Sequence, residues 1–421
     1  MLLQQAQFIQ NMDLRILYLQ DVLSNFRDNE VAIYEAGVHT GWLLKMLESE
    51  RNKFSMILDH DPDVIGTTQF GLPVHTLEDA LHRGIKAIII SSTNEALIYH
   101  HIKLVAELGV MVIRLYSGEA QEIGEILKLN RLHNLVDDHN IYQFVDRRKN
   151  SKKVLVILAG YKSYLWPYTL ERVARYAPSD LDICLCSSGI YSAELDKMAE
   201  NRQWSYLHTT VNEVALIQNI AILNHPEAEW IYKLDEDIFI TENYFNKLLD
   251  GYLHIQEEGL YDPGFVAPLL NVNGYSHVEF LKIIGKGAEY KERFGEFKHA
   301  ANRIKCHHDG QAAKWIWEQS LPLDKVSNEV SANGFSYTVI PHRFSIGAIL
   351  LRRELWSNLG GFKMAPREGV MGLDEEDLCH KCVEQSKVMC SIQNILCGHF
   401  SFYPQEATMK EFLLNNEELF K

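Results

Sequence analysis

The sequence predicts an α/β protein of two domains, and three observations carry that expectation. Apolar runs of strand length alternate with helix-period stretches twice along the chain, the pattern of parallel strands covered by helices. A basic stretch from Arg147 to Lys153 interrupts the alternation once and reads as a solvated linker. The length of 421 residues is about two to three times that of a ~150-residue domain, and a hydrophobic content of 47% can fill two cores. The expected division is residues 1–146, a linker at 147–153, and residues 154–421.

The elements follow in order. Residues 1–20 have the pattern of an amphipathic helix, without the basic start and small-residue cleavage site of a signal peptide. Strand runs are then expected at 31–34, 54–59, 87–91 and 110–116, separated by helical patterns, with a loop through Gly71-Leu72-Pro73. Four strands and three helices in under about 90 residues describe a small Rossmann-like domain. Beyond the linker, strands are expected at 154–160, 181–189, 204–209 and 230–237, again with helices between them. Residues 260–345 are less regular and read as long active-site loops with an inserted helical region.

The charge balance, 41 basic against 56 acidic residues for a net −15, argues against a protein that coats nucleic acid by neutralising phosphates. An acidic chain that binds an anionic substrate must do so locally, through a cation or backbone amides. Seven scattered cysteines make no disulfide framework and suit a reducing, cytoplasmic setting. No apolar run reaches the ~18 residues that span a bilayer. The amphipathic ends, 1–28 and 405–421, either pack or make peripheral contact with a membrane surface, packing being favoured.

Chemistry concentrates at Asp235-Glu236-Asp237, directly after the apolar run Trp230–Leu234. In extended backbone Asp235 and Asp237 share one side and Glu236 points away, so two carboxylates can reach one Mn²⁺ or Mg²⁺ that bridges a diphosphate. The competing reading is an acidic turn helped by Thr241 as a cap. Position favours the cation, because open α/β sheets bind ligands outside the carboxyl ends of their strands.

With this triplet, the run SIGAILLRRELWSNLGGF at 345–362 and MGLDEEDL at 371–378, the sequence resembles the DXD-containing GT-A glycosyltransferases, with family-2-like or β-galactosyltransferase-like C-terminal motifs. The resemblance covers roughly residues 153–405. It implies a GT-A nucleotide-diphospho-sugar transferase fold behind the Rossmann-like domain, and a hexosyltransferase-like activity in polysaccharide or glycoconjugate assembly. The donor would be a nucleotide-diphosphate sugar, UDP-sugars favoured, and the acceptor a glycan, lipid-linked or protein hydroxyl. It places Asp374 and Glu375 at the general base, with the order of Asp and Glu exchanged relative to the family and the choice between the two left open. Asp377 falls on the last acid of the motif. A helix cap is the alternative for this acidic turn. It nominates His399 as a third metal ligand beside Asp235 and Asp237, Mn²⁺ (or Mg²⁺) being the cofactor. Ala159, Gly160, Tyr161, Ser187 and Ser188 would face the nucleotide, with Asp235. Lys363 and Arg367 would lie on a loop over the diphosphate. A base placed this way implies inversion at the anomeric carbon.

Other motifs support less. The turn after the first strand has Glu35 where a G-x-G-x-x-G fingerprint needs glycine, and an acid there repels a diphosphate. A scaffold or regulatory role is therefore preferred to an oxidoreductase, for which Asp59 would be the ribose ligand. A non-catalytic sugar-nucleotide-binding protein is the other alternative. Trp315 and Trp317 read as packing rather than an acceptor platform, and Cys379-His380-x-Cys382 as packing rather than zinc. His307-His308-Asp309 is assigned no role.

Overall fold

The computed structural model describes residues 13–136, 140–300, 303–365, 370–400 and 403–421. Two compact units divide between Asn134 and Leu135.

In the N-terminal unit, β1 (Val31–Tyr34), β2 (Phe54–Leu58), β3 (Thr68–Gln69), β4 (Leu72–His75), β5 (Ala87–Ile90) and β6 (Met111–Arg114) form one sheet in the order β3-β4-β2-β1-β5-β6. All pairings are parallel except β3 with β4. The winding therefore reverses beside β1. Both faces are apolar and covered, one by Ile16, Leu19, Leu23, Leu43 and Leu47, the other by Ala80, Ile98, Ile102 and Val105. The first of these sets includes the helix Leu14–Leu23, capped at Asp13. Residues 1–12 of the expected opening helix lie outside the described residues. The expected loop at 71–73 is instead a turn leading into β4. Pro73 faces solvent there while Leu72 and Val74 are buried, as the alternation of a strand requires.

In the C-terminal unit, β7 (Tyr142–Val145), β8 (Lys153–Leu158), β9 (Asp182–Ser187), β10 (Ser205–Thr209), β11 (Trp230–Asp235), β12 (Ile238–Phe239), β13 (Pro263–Leu270), β14 (Tyr337–Ile340), β15 (Ala348–Arg352) and β16 (Val388–His399) build a single sheet. Its order is β12-β16-β13-β15-β11-β8-β9-β10-β7, with β14 on β16. Strands β11, β8, β9 and β10 run parallel, and β15 runs antiparallel between β11 and β13. The chain winds outward from β8 through β9 to β10, then returns to the other side of β8 as β11. The switch point thus lies between β8 and β11.

The division falls before the basic run expected to be the linker. β7 belongs to the C-terminal unit because it pairs antiparallel with β10. The basic run itself is held down: the Asp182 carboxylate, only 3% exposed, accepts from the Lys149 N–H at 2.7 Å and the Ser151 N–H at 2.8 Å. Residues 260–345 also depart from the loop-rich expectation. Every residue of β13 is buried, and it pairs with both β15 and β16. The C-terminal segment packs through Met409, Phe412, Leu413 and Phe420 against Trp317, Phe239 and Phe400. Its apolar face is therefore spent on the core. No helix among the described residues is long and apolar enough to cross a membrane.

Candidate active site

β11 ends at the switch point, where Asp235 donates its N–H to the Gly347 carbonyl (2.8 Å) and Glu236 its own to the Leu158 carbonyl (2.9 Å). The backbone then turns at Glu236 and Asp237 before β12, rather than continuing the extended alternation expected from the triplet. Glu236 points inward. Its carboxylate accepts from the Gly160 N–H (3.0 Å), the Tyr161 N–H (3.1 Å) and the Trp166 indole Nε1 (2.6 Å). This middle acid therefore fastens the β11 turn to the loop after β8, where Gly160 has φ +155°, a conformation that favours glycine.

The outer acids each meet a lysine. Lys233 Nζ lies 2.6 Å from Asp235 Oδ1, and Lys162 Nζ lies 2.5 Å from Asp237 Oδ2. Burial pushes the Asp235 carboxyl up to about 6 against the pull of Lys233, and the neighbouring charges of Asp237 and Asp374 add to it. Burial acts on Asp237 in the same sense, but the Lys162 ammonium and His399 outweigh it and hold that carboxyl below its ordinary value.

His399 arrives by sheet register, since Ile238 of β12 pairs with His399 of β16. Its Nδ1 is 2.8 Å from the Val272 carbonyl oxygen, which can only accept, so Nδ1 carries the proton of the neutral ring. That Nε2 is 3.7 Å from Asp237 Oδ2. Burial lowers the imidazole's pKa, favouring the neutral, ligating form. The strand end is braced by Trp317, whose indole donates to the His399 carbonyl at 2.9 Å. A Cβ at Gly398 would stand 2.2 Å from that ring. Trp315 and Trp317 are buried at 5% and 0% exposure and are core residues.

Carboxylate and imidazole are donor types that a divalent cation accepts, and Asp237 and His399 stand 3.7 Å apart. Among the described residues, however, no three His, Cys, Asp or Glu side chains converge as a metal cluster. The ammonium of Lys162 holds the Asp237 oxygen that faces His399.

The acidic residues 374–377 open the helix Leu373–Glu384, with Gly372 at its N-cap. Glu375 is held at both oxygens, by Arg343 Nε (2.5 Å) and by the Ile346 N–H (3.3 Å). Burial raises its carboxyl while Arg343 opposes the shift. Asp374, 8% exposed, accepts from Gln218 Nε2 at 3.1 Å, and its charge reaches Asp235. Asp377 pairs with Lys363 at 3.6 Å, and Arg367 lies outside the described residues. The Gly360-Gly361 turn has φ +69° and +86°. It presents Phe362 to buried Asn219, which accepts its N–H (2.7 Å) and donates to its carbonyl (2.9 Å).

The remaining expected positions line the β8 and β9 ends. Ala159 donates to the Cys186 carbonyl at 2.8 Å. Tyr161 is 61% exposed, with its hydroxyl on the Ser188 carbonyl at 2.7 Å. Ser187 is buried beneath Tyr206, 3.2 Å away. All seven cysteines are free and buried. His307 and His308 end the short helix Lys305–His308, and Asp309 caps the helix that follows. Sequence reasoning missed Lys162, Lys233, Gln218, Arg343 and the buried Glu213, whose carboxylate accepts from the Ala365 N–H at 2.9 Å and lies near Asp374. For Lys233 a signal existed, since residues two apart on a strand share a face. The others reach the site only through tertiary packing.

No protein-family model matches the chain, and no curated protein does. Among the solved structures that match is a mannosyltransferase from Pyrobaculum calidifontis in complex with GDP-Man and Mn²⁺. It is 13% identical, with a TM-score of 0.36 and 68% of each chain covered. A similarity of that size leaves the assignment of chemistry to the site itself.

Proposed function

We propose that the C-terminal unit is a GT-A-like glycosyltransferase that moves a sugar from a nucleotide-diphosphate donor, UDP-sugars first among the candidates, to an acceptor hydroxyl. The observation that carries the reading is the β12–β16 register at the switch point. It sets His399 Nε2 3.7 Å from Asp237, at the strand ends where an open α/β sheet binds its ligand. Asp235, Asp237 and His399 would hold Mn²⁺ or Mg²⁺, which supplies charge neutralisation at a departing diphosphate. The turn at Ala159-Gly160-Tyr161 and the backbone at Ser188 would face the nucleotide, and Lys363 the phosphates; Ser187, buried beneath Tyr206, would support them from below.

Asp374 is the better candidate for the acceptor's base. Both oxygens of Glu375 are engaged, one by a guanidinium, whereas Asp374 receives a hydrogen bond from a neutral amide. A base on the side opposite the leaving diphosphate implies inversion. In the N-terminal unit, counting only the parallel strands, the order is third, second, first, fourth, fifth, that of the Rossmann-like folds. With Glu35 in the first turn at φ +85°, a scaffold or regulatory role suits this unit better than dinucleotide chemistry.

A thermal-shift and transfer screen of UDP-, GDP- and CMP-sugars, with and without Mn²⁺, tests the reading. A metal-dependent response to one donor, lost in Asp237→Ala, is expected. The absence of any such response, or its survival in the variant, overturns it.

A further inference from the structure

The oxygen of Asp237 that faces His399 Nε2 at 3.7 Å is the same Oδ2 that lies 2.5 Å from the Lys162 ammonium. A divalent cation bound between Asp237 and His399 would meet that oxygen first, on the side of the carboxylate that the ammonium already holds. Two cations cannot share this ligand without strong repulsion.

The two lysines differ in their freedom to move. Lys233 belongs to β11, its side chain 4% exposed. Lys162 follows the Gly160-Tyr161 turn, whose N–H groups are fixed by Glu236, and its side chain is 22% exposed. The main chain at 162 is thus anchored beside the site, while a flexible four-carbon stem carries the ammonium, and this side chain is less buried than that of Lys233. A diphosphate in the crevice between β8 and β11 would offer that ammonium another anionic partner.

We propose that Lys162 is a displaceable counter-cation of Asp237, so that divalent metal and nucleotide diphosphate bind this site interdependently: each favours the state in which Lys162 has left the carboxylate. The proposal rests on the metal and donor reading above. Displacement weakens binding of metal alone, and linkage makes the help reciprocal, metal raising nucleotide affinity by the factor by which nucleotide raises metal affinity.

The test is a Mn²⁺ titration of the full-length chain, read by the paramagnetic resonance signal of free Mn²⁺, without nucleotide and at saturating UDP. Wild type, Lys162→Met, Lys162→Arg and Asp237→Asn are compared. Lys162→Met is expected to bind Mn²⁺ alone at least ~5-fold more tightly than wild type, the low end of ordinary coupling, with less added by UDP. Lys162→Arg, which keeps the charge, is expected to follow wild type. Lys162→Gln takes the place of Lys162→Met if the latter does not fold. Equal or weaker Mn²⁺ binding by the neutral variant overturns the proposal. If UDP-dependent Mn²⁺ binding is nonetheless present in wild type and lost in Asp237→Asn, the functional reading stands without it. If no protein binds Mn²⁺ with or without UDP, both fall.

Discussion

Glu236 is the residue whose removal should do most damage for its size. Its buried carboxylate accepts from two main-chain N–H groups, at Gly160 and Tyr161, and from the indole of Trp166, itself 3% exposed. Hydrogen bonds to a charged group contribute about 1.5–3 kcal/mol each. The three share one acceptor, so they do not add in full, and Glu236→Ala should cost about 3–5 kcal/mol. Glu236→Gln keeps one acceptor oxygen but turns an amide donor toward a cluster of donors, and about 1–3 kcal/mol is expected. Urea unfolding at fixed pH, followed by tryptophan fluorescence and circular dichroism, measures both. The alanine variant should also lose its donor response before it unfolds, because the loop carrying Gly160, Tyr161 and Lys162 is no longer tied to the acidic turn. A loss below ~1 kcal/mol in Glu236→Ala would refute the assignment of Glu236 as the clasp between β8 and β11.

Four further outcomes follow from the same geometry. Burial pushes the Glu213 carboxyl up to about 7, and the charge of Asp374 adds to it. The folded state therefore holds this proton more tightly than the unfolded chain between about pH 4.5 and 7, and stability should fall as pH rises through that window; Glu213→Gln should flatten the decline, read as melting temperature against pH. Gly347→Ala would put a Cβ 3.1 Å from Asp235 Oδ2, so that carboxylate must shift by a few tenths of an ångström and metal-dependent donor binding should weaken, with a stability change within the usual ~0.5–3 kcal/mol of a point substitution; calorimetry and urea unfolding separate the two. Asp374→Asn should lower kcat by ~10²-fold or more, the range for a lost general base. Glu375→Gln should chiefly lower stability by releasing Arg343; a larger kcat loss in Glu375→Gln would reverse the base assignment.

What the sequence made legible follows from what periodicity can encode. The strands whose ends carry the site, β8, β9 and β11, appear as apolar runs bounded by Gly or acidic turns, and the structure has them within a residue or two at their starts. β4 was hidden by Pro73, and β13 lies in a stretch whose surrounding helices and loops mask a fully buried strand. The expected boundary at 147–153 and the division between Asn134 and Leu135 differ because Arg147–Lys153 has the composition of a linker. The contact that orders it, the Asp182 carboxylate on two main-chain N–H groups, leaves no local trace. The acids and His399 proposed for the site stand out because carboxylate and imidazole chemistry is conspicuous in a sequence. Their partners do not, because Lys162, Arg343 and Gln218 reach them across 75, 32 and 156 residues.

The central claim is that Asp237 and its neighbours hold a divalent cation against a nucleotide-sugar diphosphate. It is tested most directly by measuring release of nucleoside diphosphate from UDP- and GDP-sugars by the full-length chain, with Mn²⁺ and with chelator, in wild type and Asp237→Ala. The account predicts turnover of one donor that requires the metal and is lost in the variant. Turnover equal in chelator, or undiminished in Asp237→Ala, would contradict it.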